Sequence, residues 1–95
     1  MNRMTVIHPE LDDQIDIEFK KIEGEPTLKE LQGLVDGSIE IHPIDLNGEQ
    51  YHMVINEEGK LMNLPINSVA TQLFREKYGP IDVICGTVVL VKELS

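Results

Sequence analysis

The sequence predicts an α+β domain, with a mainly antiparallel sheet of four or five strands and two short helices packed on one face. Three observations predict this class. Apolar and polar residues alternate with the period of a strand in residues 15–19 and on both sides of a turn at residues 45–48. Two other segments carry apolar residues at helical spacing. Residues 83–91 are almost wholly apolar, which is typical of a central strand buried on both faces.

The 95 residues suffice for a single domain, 1–95, with one hydrophobic core. We divide it into an acidic N-terminal segment, 1–26, with one strand, and a core, 27–95. Seven acids and only two bases lie in residues 10–25, where apolar and charged residues alternate. This acidic run is interpreted first as the solvated face of a strand and second as a surface that binds a protein. In the second case the contacting residues would be Asp12, Asp13, Asp16 and Glu18.

Both predicted helices have recognisable end signals. A T-x-x-E capping box begins the first helix at Thr27, and Gly37 ends it, because glycine adopts a left-handed cap at little cost. The second helix begins after Asn67 or Ser68, whose side chains can accept from helix-end amides, and it ends at Gly79. The sequence therefore predicts two amphipathic helices of a few turns each.

Two loops fit the central hairpin. Residues 45–48 suit a type I turn followed by a glycine bulge, and this register pairs Ile41 with Met53 and sets His42 opposite His52. A two-residue loop would instead place the two histidines on opposite faces of the sheet. The match of apolar residues favours the first register. Even there we expect no metal site, because a stable zinc site needs three or four ligands.

Two glycines mark places where we expect a positive φ, a bulge or a close approach of the backbone. Residues 57–59 should turn the chain, with Gly59 at positive φ, and residues 60–64 should form a short extended leg. Gly86 is expected at a bulge or a close backbone approach. Cys85, in an apolar run, is expected to be a small core residue.

The formal charge of −9 restricts the partners. Each contact to a nucleic-acid phosphate requires a Lys or Arg, so we expect no direct nucleic-acid binding. A single cysteine fits a reducing compartment, and no apolar run approaches membrane-spanning length. We therefore expect a cytoplasmic protein, complete from its first Met, without membrane association.

No reaction signature is present. The sequence lacks the G-x-S-x-G, Walker, G-x-G-x-x-G and H-E-x-x-H motifs. Adjacent acids such as Glu57 and Glu58 point apart in a turn, so they do not form a catalytic pair. We expect a protein that is not an enzyme and that needs no cofactor.

Four short motifs occur in order: L-Q-x-L-V-x-G-x-I-E at 31–40, N-E-E-G at 56–59, L-P-x-N-x-x-A-T at 64–71 and D-V-I-x-G at 82–86. Together they resemble a small domain family of unknown function found mostly in bacteriophages, plasmids and other bacterial mobile elements. The resemblance covers residues 28–91 and leaves the acidic first quarter unmatched. It implies no established activity. It implies a genetic setting in which small acidic proteins often act by binding, including against host defence systems.

Some polar residues within or beside these motifs are not needed for packing. They are Gln32, Glu40, Asn56, Glu57, Asn67 and Thr71. Amides and a hydroxyl near a helix N-terminus can hold a small polar or anionic ligand, but they can equally satisfy the backbone of loops, which is the commoner use of Asn near turns. Both interpretations stay open from the sequence.

The leading functional hypothesis is a non-enzymatic phage or mobile-element accessory protein. It would bind and inhibit a host macromolecule, such as a component of a defence system, through its acidic surface. The alternative is a small-ligand binder that sequesters a nucleotide-like signal molecule, centred on Asn56, Asn67 and Thr71. A hydrolase or a metal protein is the third possibility.

Overall fold

A computed structural model describes residues 2–11, 14–80 and 82–92. The elements, in chain order, are β1 (Asn2–Leu11), β2 (Gln14–Ile22), α1 (Leu28–Val35), β3 (Ile39–Leu46), β4 (Glu49–Asn56), α2 (Ser68–Tyr78) and β5 (Val88–Val91). The strands form one antiparallel sheet in the order β2-β1-β5-β4-β3. The predicted α+β class, with its antiparallel sheet and two helices, is confirmed.

The two helices cover opposite faces of the sheet, so the expectation that both share one face is wrong. Leu31 and Val35 of α1 pack with Val54 and Val89, whereas Phe74 of α2 packs with the alternate residues of the same strands. Both β4 and β5 therefore bury successive residues on both sides, because successive side chains of a strand point to opposite faces. The sheet has two hydrophobic layers.

The short strand β5 is central, as the apolar run predicted, and all four of its residues are buried. The strand is shorter than the apolar run. Within the described part of the chain, residues 83–87 before it pair through an isolated bridge between Ile66 and Cys85 and form no further ladder. Gly86 has φ of +88°, and a Cβ atom there would lie 2.8 Å from Cδ1 of Leu64. The close approach at Gly86 is therefore made by the side chain of Leu64, and not by backbone as expected.

The β3–β4 hairpin uses the two-residue loop. Asn47 and Gly48 both have positive φ, and Leu46 pairs with Glu49. This loop matches the twist of the flanking strands better than the type I turn does. His42 therefore lies opposite Met53, on the face away from His52, and the predicted pairing of the two histidines is wrong.

The helix ends follow the sequence signals closely. The hydroxyl of Thr27 accepts from the backbone N–H of Glu30 at 3.1 Å, and the side chain of Asn67 accepts from Ala70 N–H at 3.1 Å. Gly79 follows the last residue of α2, as predicted. At the end of α1, however, the left-handed residue is Asp36, with φ of +63°, and not Gly37.

Residues 57–64 form a helical turn and not the predicted extended leg. The N–H groups of Asn63 and Leu64 donate to the carbonyls of Lys60 and Gly59, and Asn63 has φ of +55°. This is the pattern of a Schellman helix end. Gly59 is not among the residues with positive φ. It is buried instead, and a Cβ atom there would lie 2.8 Å from the carbonyl oxygen of Cys85.

Candidate functional site

A cleft of about 420 Å³ opens on the α2 side of the sheet. It lies at the open end of the β3–β4 hairpin, away from the loop that joins the two strands. Its walls come from β3, the turn of residues 57–61, α2 and residues 82–85. The polar residues that line this cleft are Glu40, His42, Asn56, Glu57, Lys60 and Asp82. Three of them were predicted as ligand residues from the sequence.

Glu40 and His42 form a fixed pair on β3. Because they are two residues apart on a strand, they share a face, and Nε2 of His42 lies 2.9 Å from Oε1 of Glu40. The ring of His42 makes edge contacts with Phe74 at 5.3 Å and with Tyr78 at 6.1 Å between centroids. The hydroxyl of Tyr78 donates to the carbonyl of Pro43 at 2.6 Å. These contacts set the direction in which the imidazole and the carboxylate point.

Lys60 and Asp82 form an ion pair across the opposite wall of the cleft. The hydrogen bond from Lys60 is the main reason that the pKa of Asp82 lies below its ordinary value, and the N–H of Val83, which donates to the same carboxylate at 2.9 Å, adds to the effect. Nε of Arg75 donates to the backbone carbonyl of Asp82 at 3.0 Å. The lowered pKa favours the charged form of Asp82. The hydrogen bond from Arg75 connects α2 to the segment of residues 82–85.

Asn56 lines the cleft, yet its side chain is used inside the fold. Its Nδ2 donates to the carbonyls of Val35 and Asp36 at 3.0 and 3.1 Å, and its Oδ1 accepts from Glu58 N–H at 2.8 Å. The amide joins the end of α1 to the turn after β4. It is a structural residue at the inner wall of the cleft.

Asn67 and Thr71 are also structural. The side chain of Asn67 is fully buried, caps α2 and donates to the carbonyls of Ile7 and Gly86, both at 2.9 Å. The hydroxyl of Thr71 accepts from Ile84 N–H at 2.9 Å. The sequence left two interpretations open. These contacts agree with the one in which the polar side chains form hydrogen bonds with the backbone of loops. They leave Asn67 without a surface through which it could contact a ligand.

Gln32 does not join the cleft. It is exposed on α1, on the other side of the sheet from the cleft. Of the six predicted ligand residues, the structure thus brings together Glu40, Asn56 and Glu57.

The predicted protein-binding residues lie partly on β2. Asp12 and Asp13 are outside the described residues. Asp16 and Glu18 are exposed on β2, the outer strand of the sheet, and Glu18 lies 3.7 Å from His8. Apolar side chains alternate with them along the strand.

Ile15 and Phe19 on β2 are 66% and 81% exposed. Their spacing predicts one face of a strand. The tertiary structure shows that, within the described ranges, neither α1 nor α2 covers this face at the outer strand. We call Ile15, Asp16, Glu18 and Phe19 together the β2 edge.

The sequence signal that could have revealed the Glu40–His42 pair is their spacing of two residues within a strand.

Within the residues that the structure describes, no three His, Cys, Asp or Glu side chains group closely enough to hold a metal ion. Nor is any helix in these ranges long and apolar enough to cross a membrane. Cys85 is buried, with the free thiol of a core residue.

Comparison with known proteins identifies a family for the chain. No curated protein and no solved structure matches the chain significantly. The family model of a domain of unknown function, DUF3846, matches residues 4–94. This match includes the acidic strand that the motifs had left uncovered and extends over nearly the whole chain. The chain therefore belongs to the DUF3846 family of domains of unknown function.

Proposed function

We propose that the chain is a non-enzymatic binding protein that docks on a host protein through the β2 edge. The single observation that carries this proposal is the outer position of β2, a strand of nine residues on which Ile15 and Phe19 are both largely exposed. A long outer strand with exposed apolar side chains is a template for pairing with another chain. Proteins commonly use such strands to bind extended segments of their partners.

The side chains of the β2 edge define the partner's chemistry. Asp16 and Glu18 lie on one face of the strand, and Ile15 and Phe19 lie on the other, because side chains alternate along it. A partner segment that adds alongside β2 would bring basic side chains to the carboxylates and apolar side chains to Phe19. We therefore propose an extended segment in which basic and apolar residues alternate.

The net charge of −9 supports the same kind of partner. Opposite charge on the partner raises the association rate and makes it depend on salt, because exposed charges act over about 10 Å at 0.1 M salt. As the biological setting we propose a bacteriophage, plasmid or other mobile element, with a host defence component as the target in the bacterial cytoplasm. The resemblance of the four motifs suggests this setting.

A nucleotide-like ligand at the corner of Asn56, Asn67 and Thr71 is less well supported. All three side chains already bond to the backbone. The neighbouring cleft carries the carboxylates of Glu40 and Glu57, which repel phosphate.

The test is capture of host proteins from a bacterial lysate by immobilised chain, with identification by mass spectrometry. The variant Asp16→Lys/Glu18→Lys should lose the partner that the wild type retains. The matched control, Glu58→Lys/Glu76→Lys, makes the same charge change at exposed sites away from β2 and should retain it. A partner kept equally by both variants would contradict the proposal.

The apolar half of the edge has its own control. Phe19→Ser should weaken capture, whereas Leu61→Ser, at a leucine that is 84% exposed in the turn after β4, should not. An equal loss of captured partner in both variants would show that nonspecific hydrophobic binding, and not the β2 edge, retains the partner.

A further inference from the structure

We infer that the cleft lined by Glu40 and Glu57 binds an organic cation: a protonated amine or guanidinium carried on a small apolar body. The cleft lies on the α2 side of the sheet, and none of the residues of the β2 edge lines it. The inference is therefore independent of the protein-binding proposal.

The charges of the cleft determine the sign of the ligand. Asp82 is paired with Lys60, so these two side chains neutralise each other. Glu40 and Glu57 remain, and the contact of Glu40 with His42 uses Oε1 of the carboxylate. We therefore expect these two acidic residues to attract a cation to the cleft and to repel an anion.

The cleft also offers an apolar surface for the body of the ligand. Ile55, Phe74 and Ile84 line it and belong to the core layer under α2. Leu61 stands at the rim and is 84% exposed, although it is a large apolar side chain. A small apolar body between this leucine and the core residues would cover surface that water now contacts.

The Glu40 carboxylate and the backbone at Glu57 are held in place before any ligand arrives. His42 fixes the carboxylate of Glu40 and is itself fixed by Phe74 and Tyr78. The turn that carries Glu57 is closed by Asn56 and by the close approach of Gly59 to Cys85. A volume of about 420 Å³ lies within the usual range of small-molecule sites.

The amine or guanidinium could belong to a free small molecule or to a Lys or Arg side chain of a peptide. The experiment titrates the chain with phenethylamine, Nα-acetyl-lysine methylamide, Nα-acetyl-arginine methylamide and the anion 3-phenylpropionate, and follows amide shifts of the labelled protein by NMR. We expect saturable shifts at the amides of Gly59 and Ile84 with the cations and none with 3-phenylpropionate. Binding of phenethylamine alone points to a free amine, and tighter binding of either peptide analogue points to a side chain.

The matched variants are Glu57→Gln and Glu58→Gln, at adjacent exposed residues of one turn, of which only Glu57 lines the cleft. Glu57→Gln and Glu40→Gln should weaken cation binding by about three- to tenfold, and Glu58→Gln should not change it. An unchanged melting temperature in each variant shows that the fold is intact. Binding of 3-phenylpropionate as tight as that of the cations, absence of binding by all four probes, or equal losses in Glu57→Gln and Glu58→Gln would each overturn the inference.

Discussion

The side-chain nitrogen of Asn56 lies 2.8 Å from the point that a Cβ atom on Gly37 would occupy. The same nitrogen donates to the carbonyls of Val35 and Asp36, so the amide closes the C-terminal end of α1. Position 37 therefore requires glycine because a larger residue would overlap the side chain of Asn56. Backbone conformation is not the reason, since the residue with positive φ in this turn is Asp36. The buried amide of Asn56, in the space left by Gly37, thus joins the end of α1 to the turn after β4.

Gly37→Ala should lower the free energy of unfolding by about 1–3 kcal/mol, because the new methyl group would displace an amide that makes three hydrogen bonds to the backbone. Urea denaturation measures the change. The control is Gly33→Ala within α1, where nothing lies within 4 Å of the added Cβ. This variant should gain about 0.5–1 kcal/mol from higher helix propensity. A loss in both variants would show that the contact with Asn56 is not the cause.

Gly59→Val should destabilise the fold by about 1–3 kcal/mol through overlap with the Cys85 carbonyl, which is backbone and cannot move aside alone. Thermal melting of the variant measures this cost. A melting temperature equal to that of the wild type would mean that the two segments are further apart than described.

Asn67→Ala should cost about 2–4 kcal/mol, because it removes the cap of α2 and leaves the buried carbonyls of Ile7 and Gly86 without this donor. Gln72→Ala, at an exposed residue of the same helix, should change stability by less than about 0.5 kcal/mol. Equilibrium denaturation of the two variants compares them directly. Similar values for both would contradict the structural role of Asn67.

The Lys60–Asp82 pair should make part of the stability depend on pH. The pKa of Asp82 is lowered in the folded chain, chiefly by Lys60, so the unfolded chain takes up this proton first as the pH falls. The contribution is complete above the ordinary carboxyl pKa of about 4 and is lost as the pH falls through the lower pKa of the folded state. Asp82→Asn should therefore lose less stability than the wild type between pH 6 and pH 2.5.

Urea denaturation at several pH values tests this dependence on Asp82. The matched control is Glu58→Gln, which removes one carboxylate that forms no ion pair with another described residue. If Asp82→Asn and the wild type lost equal stability over this range, the ion pair would not contribute in solution.

The sequence predicted the elements of the fold better than their arrangement. End signals such as Thr27 and Asn67 are local, and they located both helices correctly. The register of the β3–β4 hairpin was wrong because Met53, Val54 and Ile55 are all buried, so the apolar pattern did not distinguish the two faces. The same lack of alternation concealed that the two helices cover opposite faces.

The candidate site was predictable only in part. Glu40, Asn56 and Glu57 do meet at one cleft, although they come from two strands and a turn. The side chain of Asn67 donates to the carbonyls of Ile7 and Gly86, which are distant in sequence. No local sequence pattern predicts such contacts. The exposure of Phe19 depends on the position of β2 at the margin of the sheet, which is likewise a tertiary property.

Hydrogen–deuterium exchange of the chain, alone and bound to the partner that it captures, tests the proposed docking at the β2 edge most directly. If the partner adds a strand alongside β2, backbone amides in Gln14–Ile22 become protected, while the turn of residues 57–64 exchanges as before. Unchanged exchange throughout β2, with protection confined to other parts of the chain, would contradict the proposal.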